Sequence, residues 1–110
     1  QIAAEARDLA QRAQAGSLGL DEFSGGTFSI SNLGMFGVDQ FDAVINLPQA
    51  AILAVAAGKL KPVMHGENMV PATVMRVSLS SDHRAVDGAT AAKFLQALKG
   101  FLENPASMLL

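Results

Sequence analysis

Cysteine is absent from this chain, and charge is scarce: eight Lys and Arg, ten Asp and Glu and two His among 110 residues. Without cysteine there is no disulfide framework, no thiolate nucleophile and no sulfur-based metal site, which suits a reducing compartment. With His65 and His83 as the only histidines, and no acidic triplet at ligand spacing, no metal site is expected. The net charge is −2 and no Lys/Arg cluster runs longer than two or three positions. Nucleic acid held by phosphate neutralisation is therefore not an expected partner. Long hydrophobic runs are missing too. The longest, 50–57, soon meets Gly58 and Lys59, well short of a membrane span, and no signal peptide is visible, so no membrane partner is expected. The chain opens at Gln1, already inside a helical pattern, and reads as a cut end.

Apolar residues, by contrast, are plentiful. Half the chain is hydrophobic, its mean hydropathy is +0.30 and only 16% of it is charged, at a mass of 11.4 kDa. A free-standing domain of this size has much surface to keep wet. The excess points to apolar faces buried against a missing half or neighbouring subunits, with a densely packed monomer as the alternative.

Residues 2–15 are alanine-rich, with Ile2, Ala6, Leu9, Ala10 and Ala13 at helical spacing, and Gly16-Ser17 ends that helix. A connector, 18–26, closes with Gly25-Gly26. Residues 27–31 alternate hydroxyl and apolar side chains, which predicts a half-buried strand with Phe28 and Ile30 inward, followed by a turn at Asn32-Leu33-Gly34. The run 50–57, between Pro48 and Gly58, predicts a strand buried on both faces. Residues 63–70 predict a hairpin turning at Gly66-Glu67-Asn68, with His65 exposed beside the turn. A core strand over 74–80 then enters the polar loop 81–88, and 89–102 is a helix with Ala91, Phe94, Leu95, Leu98 and Leu102 on one face. Neither a repeat nor a domain boundary interrupts the pattern, which is α/β with a mixed sheet and packed helices.

The chemistry concentrates in Ser80-Ser81-Asp82-His83-Arg84-Ala85-Val86-Asp87-Gly88. An imidazole titrates near neutrality, so His83 on a strand-to-helix loop has the chemistry to take a proton from a thiol or hydroxyl and return it. Asp87 is placed to cap the following helix, and Arg84 to pair with Asp82 or Asp87. Read alone, such a loop more often carries a solvated histidine beside an ordinary helix cap than a catalyst.

The motif DHRAVDG resembles the DHR-x-x-DG signature of the dihydrolipoamide acyltransferase (E2) components of 2-oxo acid dehydrogenase complexes, whose catalytic domains share the chloramphenicol acetyltransferase fold. The segment FSGGTFSISNLGMFG is similar to a second motif of that family. Asn46-Leu47-Pro48-Gln49-Ala50 and Asn104-Pro105 with Met108-Leu109-Leu110 resemble two more, all four in family order. The resemblance implies that residues 1–110 are the C-terminal half of that catalytic domain, a mixed-sheet sandwich. It implies an acetyl group moved between dihydrolipoamide and coenzyme A, the pyruvate type being favoured by SNLGMFG over the succinyl and branched-chain types. His83 falls on the family's general base, Ser31 on the hydroxyl that hydrogen-bonds the oxyanion, and Asp87 on the position supporting the loop. It further implies a homotrimer whose site lies between subunits, assembled into a cubic or dodecahedral core. The lipoyl group would ride on a domain outside this chain, and E1 and E3 components would bind through other upstream domains. The compartment would be bacterial cytoplasm or mitochondrial matrix. A non-catalytic core or tethering homologue and a small-molecule acetyltransferase are the competing readings.

Overall fold

The computed structural model describes residues 1–109. Among them, helix α1 (Ile2–Gln14) precedes strands β1 (Ser29–Asn32), β2 (Ala51–Val55), β3 (Lys59–His65), β4 (Asn68–Val74) and β5 (Val77–Ser81), and helix α2 (Gly88–Glu103) follows. Short 3-10 turns cover Leu20–Glu22, Gly34–Phe36 and Pro105–Leu109.

Three strands form a mixed sheet in the order β1-β2-β5, with β2 parallel to β1 and antiparallel to β5. The central strand holds nearly all of the buried core: Ile52, Leu53 and Ala54, joined by Ala56 just beyond it. A strand paired on both edges and covered on both faces needs an unbroken apolar run, as this one has. β1 differs from its expected pattern. Ser29 and Ser31 are the half-buried residues, while Ile30 is 66% exposed and Phe28 39%. The alternation is present, but with the apolar face the more exposed one; Phe94 of α2 meets it with its ring 5.8 Å from that of Phe28.

β3 and β4 form a separate two-stranded hairpin, longer than the expected 63–70, closed by His65 and Asn68 around Gly66-Glu67. Gly66 has φ +66°, as a tight hairpin turn with glycine at its first central position requires, and His65 is exposed beside it. Counted from the closing pair, Pro62 opposite Pro71 falls where main-chain N–H groups point away from the partner strand. Neither proline therefore breaks a rung, and each interrupts an outer edge. The strand expected over 74–80 starts later, because Val74 still pairs with Lys59 in the hairpin and Met75-Arg76 turns the chain into β5.

α1 forms because alanine favours helix strongly, yet none of its residues is buried. Its last turn is tied down by Arg12, which pairs with Asp8 at 3.2 Å and with Glu22 at 2.7 Å. The accessible surface of the chain is 8563 Å², against about 5,800 Å² for a compact protein of this mass. The radius of gyration is 16.4 Å where about 13 Å is usual.

Candidate functional site

The loop between β5 and α2 is fixed at both ends. At its start Asp82 N–H donates to Ala50 O at 2.7 Å, and Ala85 and Val86 N–H both donate back to Asp82 O at 2.9 Å. The Asp82 carboxylate accepts from Arg84 N–H at 3.0 Å and from its guanidinium at 2.7 Å. The guanidinium is the main reason the Asp82 carboxyl lies at about 2, with the Arg84 N–H next. Asp82 is thus the partner of Arg84, of the two the sequence offered. At the loop's end Asp87 accepts from Thr90 N–H at 2.7 Å and caps α2 as expected. That backbone hydrogen bond holds its carboxyl below the usual carboxylate range. Between these anchors His83 is exposed, and among the described residues its ring makes no hydrogen bond.

Ser31 sits half-buried on β1, opposite Ala54. The chain leaves β1 along a fixed path: Leu33 N–H donates to Val55 O at 3.1 Å, and Gly34 N–H to the Asn32 side chain at 2.8 Å. A Cβ on Gly34 would lie 3.1 Å from Ala56 O, so a larger residue would push this turn off the sheet.

The single chain does not bring Ser31 and His83 together. Ala54, opposite Ser31, pairs on its other side with Ser78, whereas the His83 loop leaves β5 after Ser81. Ser78 to Ser81 spans about 10 Å along the sheet, and two strand spacings add about 10 Å across it. Ser31 is half-buried and His83 exposed, at opposite ends of one sheet, a geometry suited to a site completed by another copy.

Beyond its place in a family motif, Gln49 had no expected role. Its side chain accepts from Ser29 Oγ at 2.5 Å and donates to Gly26 O at 3.2 Å. Its neighbour Ala50 accepts from Asp82. One dipeptide therefore ties both the glycine-rich segment before β1 and the His83 loop to β2. A lone glutamine entering an apolar run was the available signal. Among the described residues no three His, Cys, Asp or Glu side chains converge to hold a metal ion.

Across residues 1–110 the chain matches the family model described as 2-oxoacid dehydrogenases acyltransferase (catalytic domain). It is 44% identical over 110 residues to a dihydrolipoyllysine-residue acetyltransferase component of pyruvate dehydrogenase complex from Rickettsia felis, covering 100% of this chain and 27% of that protein. A counterpart so named from Rhizobium meliloti is 50% identical over 108 residues, 98% of this chain and 24% of that one. The chain thus spans about a quarter of the length of these relatives. Among solved structures, an Azotobacter vinelandii dihydrolipoamide acetyltransferase is similar with a TM-score of 0.95 and 41% identity, over 100% of this chain and 45% of that one. That structure comes from an investigation of the roles of a serine, a histidine and an asparagine in the catalytic mechanism. The histidine there lies 52 residues after the serine and four before the asparagine. The cubic core of a pyruvate dehydrogenase multienzyme complex is similar with a TM-score of 0.95 and 40% identity, over the same shares. The mixed α/β architecture is therefore that of the acyltransferase catalytic cores, a chloramphenicol acetyltransferase-like fold.

Proposed function

Because the chain belongs to the 2-oxoacid dehydrogenases acyltransferase (catalytic domain) family, we propose that it is the C-terminal part of that domain in an acetyltransferase acting between dihydrolipoamide and coenzyme A. One observation carries the assignment of roles. His83 follows Ser31 by 52 residues and precedes Asp87 by four, the same intervals as the serine, histidine and asparagine studied in the Azotobacter enzyme. Asp87 stands where that spacing has an asparagine, and both side chains accept a hydrogen bond at a helix N-cap, so the difference leaves the anchoring of the loop intact.

In this reading His83 takes the proton from the attacking thiol, and the thiolate adds to the thioester carbonyl. The tetrahedral oxyanion accepts a hydrogen bond from the Ser31 hydroxyl. Collapse expels the second thiolate, which recovers the proton from His83, so no acyl-enzyme is formed. The exposed imidazole and the distant Ser31 fit a site shared between copies, His83 from one and Ser31 from its neighbour. A trimer built into a cubic or dodecahedral core would supply those copies. Relatives named as pyruvate dehydrogenase components favour acetyl as the group moved. The lipoyl arm and the E1 and E3 components would be met through parts of the protein outside this chain, in bacterial cytoplasm or mitochondrial matrix. In the full-length protein, His83→Ala should lower acetyl transfer by about 10²–10⁴ at unchanged assembly. Near-normal turnover of that variant would overturn the reading.

A further inference from the structure

The residues on either side of His83 are tied to each other. Asp82 Oδ1 accepts from Arg84 N–H at 3.0 Å, which closes an Asx-turn with His83 as its central residue. Two further rings start from the same residue, because Ala85 and Val86 N–H both donate to Asp82 O at 2.9 Å. All three rings enclose His83. Asp82 itself is fixed to the sheet: its N–H donates to Ala50 O at 2.7 Å, one step beyond the Ala51–Ser81 pair of the β2–β5 ladder. The backbone of His83 is thereby held to the sheet, which leaves the imidazole mainly its own side-chain torsions.

The Arg84 side chain returns to the same carboxylate. Its Nε lies 3.0 Å from Oδ1 and its Nη2 2.7 Å from Oδ2, the two-pronged geometry in which guanidinium and carboxylate match. As a contact that stabilises the fold this pair is badly placed, since the Arg84 side chain is 85% exposed and such ion pairs contribute little. What the fork does is fix the plane of the carboxylate, and with it the oxygen that closes the turn around His83. Asp87 acts from further off: four residues on, its carboxylate accepts from Thr90 N–H inside α2. We propose that Asp82 and Arg84 are a positioning pair that sets the direction in which His83 presents its imidazole, and that the base depends on Asp82 more than on Asp87. The inference rests on the acyltransfer reading, in which His83 must meet a thiol. Among the described residues the exposed ring makes no hydrogen bond of its own, so its aim comes through its backbone. Misplacing a reacting group by about 1 Å can cost about 10²-fold in rate.

Two substitutions of one residue separate the turn from the ion pair. Asp82→Asn keeps an oxygen to accept from Arg84 N–H but gives up the charge; Asp82→Glu keeps the charge but adds a methylene that opens the Asx-turn. In full-length protein Asp82→Glu should lower the kcat for acetyl transfer by about 10²-fold, and Asp82→Asn and Arg84→Ala each by about tenfold. The KM values for coenzyme A and dihydrolipoamide should stay within about twofold. The double variant of Asp82→Asn with Arg84→Ala should be no worse than either single one. A surface ion pair with no positioning role predicts the reverse order, with Asp82→Glu close to wild type, and that result would overturn the proposal. So would losses that appear in KM at unchanged kcat, or wild-type turnover by Arg84→Ala, whose exposed side chain is safe to remove. Hydrogen exchange at the Arg84 amide, which needs no turnover, should be slow in wild type and Asp82→Asn and fast in Asp82→Glu; equal exchange in all three would also overturn the pair. Wild-type protein that shows this order of exchange yet moves no acetyl group would sink the acyltransfer reading and leave the turn around His83 standing.

Discussion

At the scale of single residues, the His83 loop owes its shape to two carboxylates with different tasks. Asp82 holds Arg84 and the loop's entry, and its carboxyl at about 2 lies well below the ordinary carboxylate value. A folded-state pKa depressed in this way stabilises the fold above the ordinary range, and the benefit is lost as pH falls through about 2. Melting temperature should therefore drop between about pH 5 and about pH 2, and Asp82→Asn should flatten that part of the profile. The effect will be small, since Arg84 is exposed to solvent. Gln49 has the wider reach. Gln49→Ala removes its bonds to Ser29 and Gly26, and Ser29→Ala removes only the first. Gln49→Ala should thus lower the melting temperature and the acetyl-transfer kcat more than Ser29→Ala does, and the double variant should be no worse than Gln49→Ala alone. Additive losses would show that the two side chains act separately.

At the scale of elements, legibility followed how many sides of a segment are defined by its own chain. β2 was plain from 50–57, because two paired edges and two covered faces leave room only for apolar residues. α2 and its Asp87 cap were plain because capping is local chemistry. β1 was legible as a strand but not in its burial: Ile30 is 66% exposed, on the face that Phe94 meets at Phe28. The division between hairpin and β5 was misplaced because the apolar pair Val74-Met75 leads on towards Val77, and the break at Met75-Arg76 has no glycine or proline to announce it. Of the proposed site, His83, Ser31 and Asp87 were named through motifs. The separation of the first two was not, since sheet register depends on pairings across 20 or more residues. Asp87→Ala, which leaves Thr90 N–H without its acceptor, should lower the melting temperature by a few degrees and loosen the His83 loop. Unchanged hydrogen exchange at Thr90 would contradict that role.

At the scale of the molecule, openness is the dominant fact. The chain exposes roughly 2,800 Å² more than a compact protein of its mass. Ile2, Ile30, Leu60, Met64 and Met69 are among the apolar residues left in solvent, and α1 buries none of its residues. A surface of this kind calls for partners, as the high hydropathy already implied. The 110-residue chain prepared alone should bind an apolar dye and scatter light as a species heavier than 11.4 kDa; a dye-silent monomer would contradict this. In the proposed function His83 and Ser31 are each half of a site shared between copies, and one measurement tests that account most directly. Full-length His83→Ala and Ser31→Ala proteins, each nearly inactive, are unfolded together, refolded as a mixture and assayed for acetyl transfer. If each site draws its imidazole and its hydroxyl from different copies, random mixing restores about a quarter of wild-type activity. Activity no higher than the mean of the two parent variants would contradict the account.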